Sequence, residues 1–503
     1  MNSFLEILSL KNSLRKLSFM KNLLLPILLS LLFFTCTSNS RTIYKDAICI
    51  TNVNTIDAKD GLKEDMTVIV KDNRIIKTGK SSEIKLDPTN TIINGEGKYL
   101  IPGLWDAHVH FAYIEELAPS MFDLFLAYGI TSVRDTGGKI DFVKKWKDQA
   151  LANPTDAPRV MIAGPLLDGL PNVYDGSTPQ RPELSVGAGT VEDAVKIVES
   201  LNDKKVDLIK AYEMLTPEQF VAVNKLAKEK GLKVTGHVPL SMDVISASNA
   251  GMNSMEHLRN LEFSCAKNAD ELLENRKKML AIGANDEGGV LRARIHASQR
   301  TDAVNNQDAT NTKKVLDVLA KNQTWQIPTM SIMTASANRH NVRPDWKESF
   351  KYLPKAVEKI WIEGATTFGE TPIKETDQQY VDWSFDMVKK IKGAGIGIMA
   401  GTDCPIFFLT PGLSLHEELF LLVKSGLTPL EAIEAATLKP AEYFSMENEL
   451  GLIQEGYLAD LVLLESNPLD NIRNTLKINS VIKDGKYFSR EKLDAKFKAL
   501  EEE

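Results

Sequence analysis

Short apolar runs of alternating pattern, over 47–100 and 458–488, flank a long middle in which the pattern shifts to apolar bursts separated by helical periodicity. On the N-terminal side AICITNV (47–53), MTVIVKDNRIIKTG (66–79) and TIINGEGKYL (91–100) are punctuated by Asp72-Asn73 and Asn94-Gly95. Period-two runs bounded by such residues predict strands joined by tight turns, since successive strand side chains face opposite ways. A matching pair, LADLVLLE (458–465) and SVIKDGKYF (480–488), ends the chain, with Asp484-Gly485 as a hairpin turn. Two β-rich ends around a long middle predict a small composite β-sandwich domain built from both ends of the chain.

The middle alternates strand candidates with helical stretches. The strand candidates are LWDAHVHF (104–111), ITSVRDTG (130–137), RVMIAGP (159–165) and VDLIKAY (206–212), followed by LKVTGHVP (232–239), NSMEHL (253–258), TWQIPTM (324–330) and GIGIMAGTDC (395–404). Between them lie helical patterns such as VEDAVKIVESLND (191–203) and PEQFVAVNKLAKEKG (217–231). This alternation predicts an α/β fold with parallel strands, and eight such units predict a (β/α)8 TIM-like barrel with its chemistry at the strand C-terminal ends. The charged stretch 265–322 and the Trp- and Pro-containing stretch 330–379 read as elaborations over that rim. The expected organisation is a leader over 1–40, the two parts of the sandwich over 41–100 and 448–503, and the barrel over 101–447.

Composition adds bounds. A chain of 503 residues, 43% hydrophobic and 25% charged, is globular and long enough for one large and one smaller core. A net charge of -7 supplies no basic footprint, so nucleic acid is not an expected partner. The four cysteines show neither CxxC spacing nor disulfide density. Cys36 has a separate context: Lys21, an apolar run over 23–34, Thr35-Cys36, then four polar residues. The run is short for a membrane span and fits the apolar core of an export signal. It resembles a bacterial lipoprotein signal in which Cys36 carries the lipid, although Phe34 and Thr35 are bulkier than the usual preceding residues. Ordinary secretion with cleavage nearby is the alternative, and Met20 is a second candidate start. Export, with membrane attachment through this N-terminal anchor, is the expected location.

The polar residues at the strand ends carry the candidate chemistry. His108 and His110 share one strand face, and neutral imidazoles so placed can grip one divalent cation. Lys210, His237, His257 and Asp403 end the fourth, fifth, sixth and eighth strand candidates. Each has a plainer reading on its own: Lys210 as a lysine reaching solvent along its stem, His257 as a core histidine tied to Glu256, and Asp403 as a helix cap. Arg134 could orient substrate or pair with Asp135, and Tyr212 shares the face of Lys210 and could meet substrate or pack in the core. His416 is a further substrate-site candidate, whereas His296 and His340 are expected at the surface and Cys404 as a small packing residue.

Taken together, IPGLWDAHVH, TSVRDTGG, LIKAY, TGHV, MEHL, AGTDC and the stretch 415–472 resemble the amidohydrolase superfamily, in its imidazolonepropionase-like and Xaa-Pro dipeptidase-like branch. The resemblance implies that His108, His110 and Asp403 hold one divalent ion, that His237 and His257 hold a second, and that a carbamate on Lys210 bridges them. It implies zinc as the metal, a water activated between the ions, and Asp403 as the catalytic proton carrier. The expected reaction is hydrolysis of a C–N bond in a small-molecule amide, dipeptide or cyclic amide. Lactone or organophosphate ester hydrolysis on the same metals, and a non-catalytic ligand-binding surface lipoprotein, are the alternatives. Neither the substrate nor the oligomeric state is written in the sequence.

The leader yields the first prediction. Replacing Cys36 with Ser should release the protein from the membrane fraction into the soluble one; a Cys36→Ser variant that fractionates with the parent would remove lipidation at that residue.

Overall fold

The computed structural model describes residues 44–502, so the leader and Cys36 lie outside the described residues. The chain divides into two compact units. One comprises 1–45 with 85–89, where Asp87 accepts hydrogen bonds from the amide and hydroxyl of Thr89. The other, 46–84 with 90–503, holds every strand and helix named below. No helix among the described residues is long and apolar enough to cross a membrane.

The alternating runs at both ends do form strands, and they join one eight-stranded sheet. Tyr99–Pro102 is the seam. It pairs parallel to Ile48–Asp57 from its own end of the chain and antiparallel to Leu461–Leu464 from the other. The sheet buries its own apolar cluster, including Val53, Val68, Ile75, Leu100, Leu461 and Ile482, apart from the main core. At the Asp484-Gly485 turn both residues have positive φ, 48° and 82°. A side chain at Gly485 would meet the Asp72 carbonyl, so only glycine closes this hairpin.

In the middle, parallel strands follow the sequence pattern closely. Leu104–Val109, Ile130–Asp135 and Arg159–Ile162 form one parallel sheet. Leu208–Ala211, Lys233–Gly236, Ser254–Glu256 and Trp325–Ile327 run in order through a second. Two strands that the pattern did not announce, Leu166–Gly169 and Ser185–Ala188, extend the second sheet. The predicted eighth strand, 395–404, forms no regular strand. Gly395, Gly397, Gly401 and the left-handed Asp403 (φ 71°) break its ladder. It still bridges both sheets, through Gln326 with Ile398 and Val109 with Cys404. On the other side the Asp207 amide donates to the Ile162 carbonyl at 2.9 Å, linking the sheets again.

Helices return the chain between strands, and their starts are set by capping. Thr190 with Asp193 opens Val191–Asp203, and Thr216 with Gln219 and Pro217 opens Pro217–Glu229. Each such cap satisfies end amides and is worth about 1 kcal/mol. The elaborations are helical too, as Ala269–Ile282, Gly288–Asn305 and Ala309–Asn322, then Lys355–Glu370 and Glu375–Gly393. They bury what the sequence left at the surface. His296 is 5% exposed, its ring turned onto Glu213, and His340 is 1% exposed, packed against an aromatic ring of its own insertion. That ring, Trp346, stands edge-on to His340 with ring centroids 5.4 Å apart.

His416 belongs to this framework rather than to a cavity. In helix Leu413–Lys424 its Nε2 meets the Tyr128 carbonyl and its Nδ1 the Thr475 hydroxyl, both at 2.9 Å. Burial drops its pKa to about 4. The unfolded chain takes up a proton near the ordinary 6.5 while the folded chain does not, so His416 costs no stability above that value. Stability should fall progressively from about pH 6.5 toward 4. His416 accounts for about 2 kcal/mol of that fall between pH 6.5 and 5, and His416→Gln should reduce the fall in urea unfolding curves by that amount while the other buried histidines still contribute theirs.

Candidate metal centre

In Leu104–Val109 and its extension, Asp106, His108 and His110 fall on one face, and all three are buried. Asp106 ties this strand to the segment bearing Asp403. Its carboxylate accepts from the amides of His108 (3.2 Å) and Thr402 (3.1 Å) and from the Thr402 hydroxyl (2.8 Å). The Asp403 amide donates to the His108 carbonyl at 2.8 Å and the His110 amide to the Cys404 carbonyl at 2.9 Å. Fixed from both sides, Asp403 Oδ1 lies 3.0 Å from His108 Nε2 and 3.0 Å from His110 Nε2, which are 3.3 Å from each other.

His237 and His257 complete the ring. Gly236, at φ 130°, lets its strand end pass so close to Ala211 that any side chain would collide with the Ala211 carbonyl. His237 follows directly. His257 has φ 60°, which turns its ring inward; it stands 4.8 Å from the His237 ring and 4.7 Å from the His108 ring, centroid to centroid.

Three of the four rings have their Nδ1 occupied by an acceptor. His110 Nδ1 meets the Gly137 carbonyl (3.3 Å), His237 Nδ1 meets Glu213 Oε1 (2.5 Å), and His257 Nδ1 meets the Thr329 hydroxyl (2.7 Å), which itself donates to the Pro328 carbonyl. A neutral imidazole with its proton on Nδ1 keeps a lone pair on Nε2, the state in which histidine binds metals. Burial holds His108, His237 and His257 well below the ordinary histidine pKa, which disfavours their imidazolium form. Burial would raise Asp403, but His257 and His108 pull it well below the carboxylate range and it is ionised. Converging lone pairs and one carboxylate at this spacing fit a cation. Among the described residues two sets have donor atoms all within 4.8 Å of one another: His108, His110 and Asp403, and His108, Glu256 and His257.

Lys210 is buried beside them, and burial holds its amine well below the usual lysine range. A neutral amine is the form that can add carbon dioxide. Its Nζ lies against the Glu256 carboxylate. Glu256 also accepts from Arg134 Nη2 at 2.8 Å and from the Thr235 hydroxyl at 2.9 Å, and so braces the floor. Arg134 is therefore neither a substrate group nor a partner of Asp135. It is fully buried, and its Nε donates to the Ala107 carbonyl. Asp135 instead accepts the amides of Phe111 and Gly137.

Tyr212 does face the cavity. It lines a recess of about 180 Å³ with His110, Lys210, His237, His257, Arg292 and Asp403, its ring 4.4 Å from that of His237. Its neighbour Glu213 is a residue the sequence reading missed. Besides His237 it accepts from Arg292 Nε at 2.9 Å and meets His296 Nε2 at 2.5 Å. Burial alone would raise this carboxyl, but Arg292 and His296 hold it well below the usual range. The available signals were the position of Glu213 at a strand end and the four-residue spacing of Arg292 and His296 in 288–305.

Parallel strands carrying a buried histidine-and-carboxylate cluster at their C-terminal ends define an α/β protein built around a cation site. A model of the amidohydrolase family matches residues 99–487, and the chain belongs to that family. Ochratoxinase of Aspergillus niger is 35% identical over 128 residues, 24% of this chain and 26% of that one, so the chain spans about a quarter of that relative. Imidazolonepropionase of Kosmotoga olearia is 22% identical over 452 residues, 88% of this chain and 94% of that protein. Among solved structures, a Xaa-Pro dipeptidase with bound methionine in the active site superposes with a TM-score of 0.63 at 20% identity, over 88% of this chain and 100% of that one.

Glu213 gives the prediction here. Glu213→Gln leaves the shape but removes the charge that fixes His237, and should weaken zinc affinity by roughly ten- to a hundredfold. Chelator competition on folded protein measures it.

Proposed function

We propose that the protein is a metal-dependent hydrolase of C–N bonds in small-molecule amides, dipeptides or cyclic amides. The observation that carries this is the convergence of imidazole Nε2 atoms, Asp403 and a neutral-prone Lys210 on one recess. The proposal includes the scaffold: a (β/α)8 barrel over 101–447 and a composite β-sandwich over 41–100 and 448–503. The links of 395–404 to both sheets and the separate core of the terminal strands support it. It includes two divalent ions, one of which His108, His110 and Asp403 would hold and the other His237 and His257, with Lys210 as a carbamate serving as a shared ligand. Imidazole-rich, carboxylate-completed sets suit zinc. Attachment of the exported protein through Cys36 belongs to the same reading.

Bound divalent ions supply Lewis acidity toward a carbonyl oxygen and lower the pKa of water. The protein's residues do the rest. Asp403, ionised at the mouth of the recess, takes a proton from the attacking water and delivers it to the leaving nitrogen. Tyr212, whose hydroxyl burial keeps protonated, can donate to the substrate carbonyl. Leu166, Leu184 and Ile332 line the same recess and limit water around the reacting atoms.

Lys210 and Asp403 should fail differently. Lys210→Ala should lose bound metal and activity together, with part of the rate restored by acetate or propionate filling the space of the carbamate. Asp403→Asn should lower kcat by roughly a hundredfold or more while holding metal better, as for loss of acid–base catalysis. Elemental analysis and turnover of a dipeptide and cyclic-amide library by zinc-reconstituted protein measure both. A Lys210→Ala variant that keeps its metal and turns over normally would end the two-metal proposal.

A further inference from the structure

The recess over the metal centre opens into a wider lobe of about 560 Å³ that shares His257, Arg259, Ile332, Asp403 and Ile406 with it. Besides Lys210, whose amine burial holds well below the usual lysine range, four basic side chains line the two spaces, Arg259, Arg292, Arg300 and Lys374, against the acids Asp403 and Asp377. Three of these six charges are already engaged. Arg292 is bound to Glu213, Asp403 stands between His108 and His110, and Asp377 caps helix Glu375–Gly393 by accepting the Lys374 amide.

Arg259 and Arg300 are different. Each is partly buried, each has a buried Nε with no hydrogen-bond partner, and neither guanidinium forms an ion pair among the described residues. Arg300 rests over the Tyr380 ring, 4.6 Å from its centroid, which fixes its plane. The acid that follows Arg259 on the next turn, Glu262, is buried, and its Oε2 is itself without a partner. A buried Nε without an acceptor is a hydrogen bond left unmade, and a guanidinium can make it to a carboxylate together with a second, parallel one. Met333, Tyr380 and Phe407 make the remaining wall apolar and aromatic.

We infer that Arg259 and Arg300 form an anion subsite that selects amides bearing a carboxylate beside an apolar group, on the portion that fills the wider lobe. The inference rests on the hydrolase reading and names the substrate feature that this lobe selects. Arg292 does not share the role, because Glu213 neutralises it.

A pair of probes without an amide separates the two ideas. Zinc-loaded protein is titrated calorimetrically with 3-phenylpropanoate and with 3-phenylpropan-1-ol, which have the same ring and chain but differ in charge. The carboxylate should bind at least tenfold more tightly than the alcohol. Arg259→Gln and Arg300→Gln should each cut that preference several-fold, the double variant should bring it within twofold, and Arg300→Lys, which keeps the charge but not the planar fork, should keep only part of it. Equal binding of the two probes by the parent would overturn the subsite. So would a preference that survives in the folded double variant, since the metal centre would then be reading the anion. Turnover of N-acetyl-leucine and N-acetyl-leucinamide on the same preparations is scored separately. Comparable turnover of both again overturns the subsite. Failure to cleave either, with the probe preference intact, removes the hydrolase reading and supports anion binding at Arg259 and Arg300.

Discussion

Where the Nδ1 protons go decides what the site can be. An imidazole binds a cation only through a nitrogen whose lone pair is free, and a neutral ring offers one such nitrogen. Gly137, Glu213 and Thr329 each take the Nδ1 proton of one histidine, and the Nε2 atoms are left to face the recess. The three acceptors come from different loops, so the parallel strands must hold those loops in register for the lone pairs to converge. Fold and chemistry are joined at this point, and burial reinforces it by disfavouring the imidazolium form.

Beneath the ring lies a second layer of fully buried polar groups, Asp106, Arg134, Thr235 and Glu256. They are tied together between chain segments, Arg134 to Glu256 and Thr235, and Asp106 to Thr402, while the second Glu256 oxygen faces the Lys210 amine. Such a layer is stable only when every member has its partner, and then it locks the strand ends together. Burial lifts Asp106 to about 7, and its bonds to Thr402 and His108 work against that rise. The same bonds hold the irregular segment 395–404 in place where regular strand hydrogen bonding is broken by its glycines.

What the sequence disclosed and what it hid follow from the range of the interactions. His108 and His110 were legible because strand period is local, and Lys210, His237 and Asp403 because each ends an apolar run. Arg134 was misread because Asp135 is adjacent, yet adjacent strand residues face opposite ways, and its partner Glu256 lies 122 residues on. Glu213 was missed for the same reason: Arg292 and His296 are 79 and 83 residues away, on an insertion whose helical pattern gives no hint of what it covers. The two burials mistaken for exposure, His296 and His340, lie on those insertions as well. Periodicity reports which face of an element is apolar and not which distant element will cover a polar one.

The insertion helix Gly288–Asn305 shows why those distant contacts matter. Arg292, His296 and Arg300 are spaced by four residues and therefore share one face. The first two reach Glu213 and through it the ring of His237, while the third lines the wider lobe. One rigid helix thus touches both the support of a proposed metal ligand and the wall against which substrate must lie. Because helical side chains of this spacing move as a unit, a shift of the helix that widened the lobe would also pull on Glu213. Part of the wall of the outer lobe and the orientation of His237 therefore hang on one helix, and a change that displaces it acts on both.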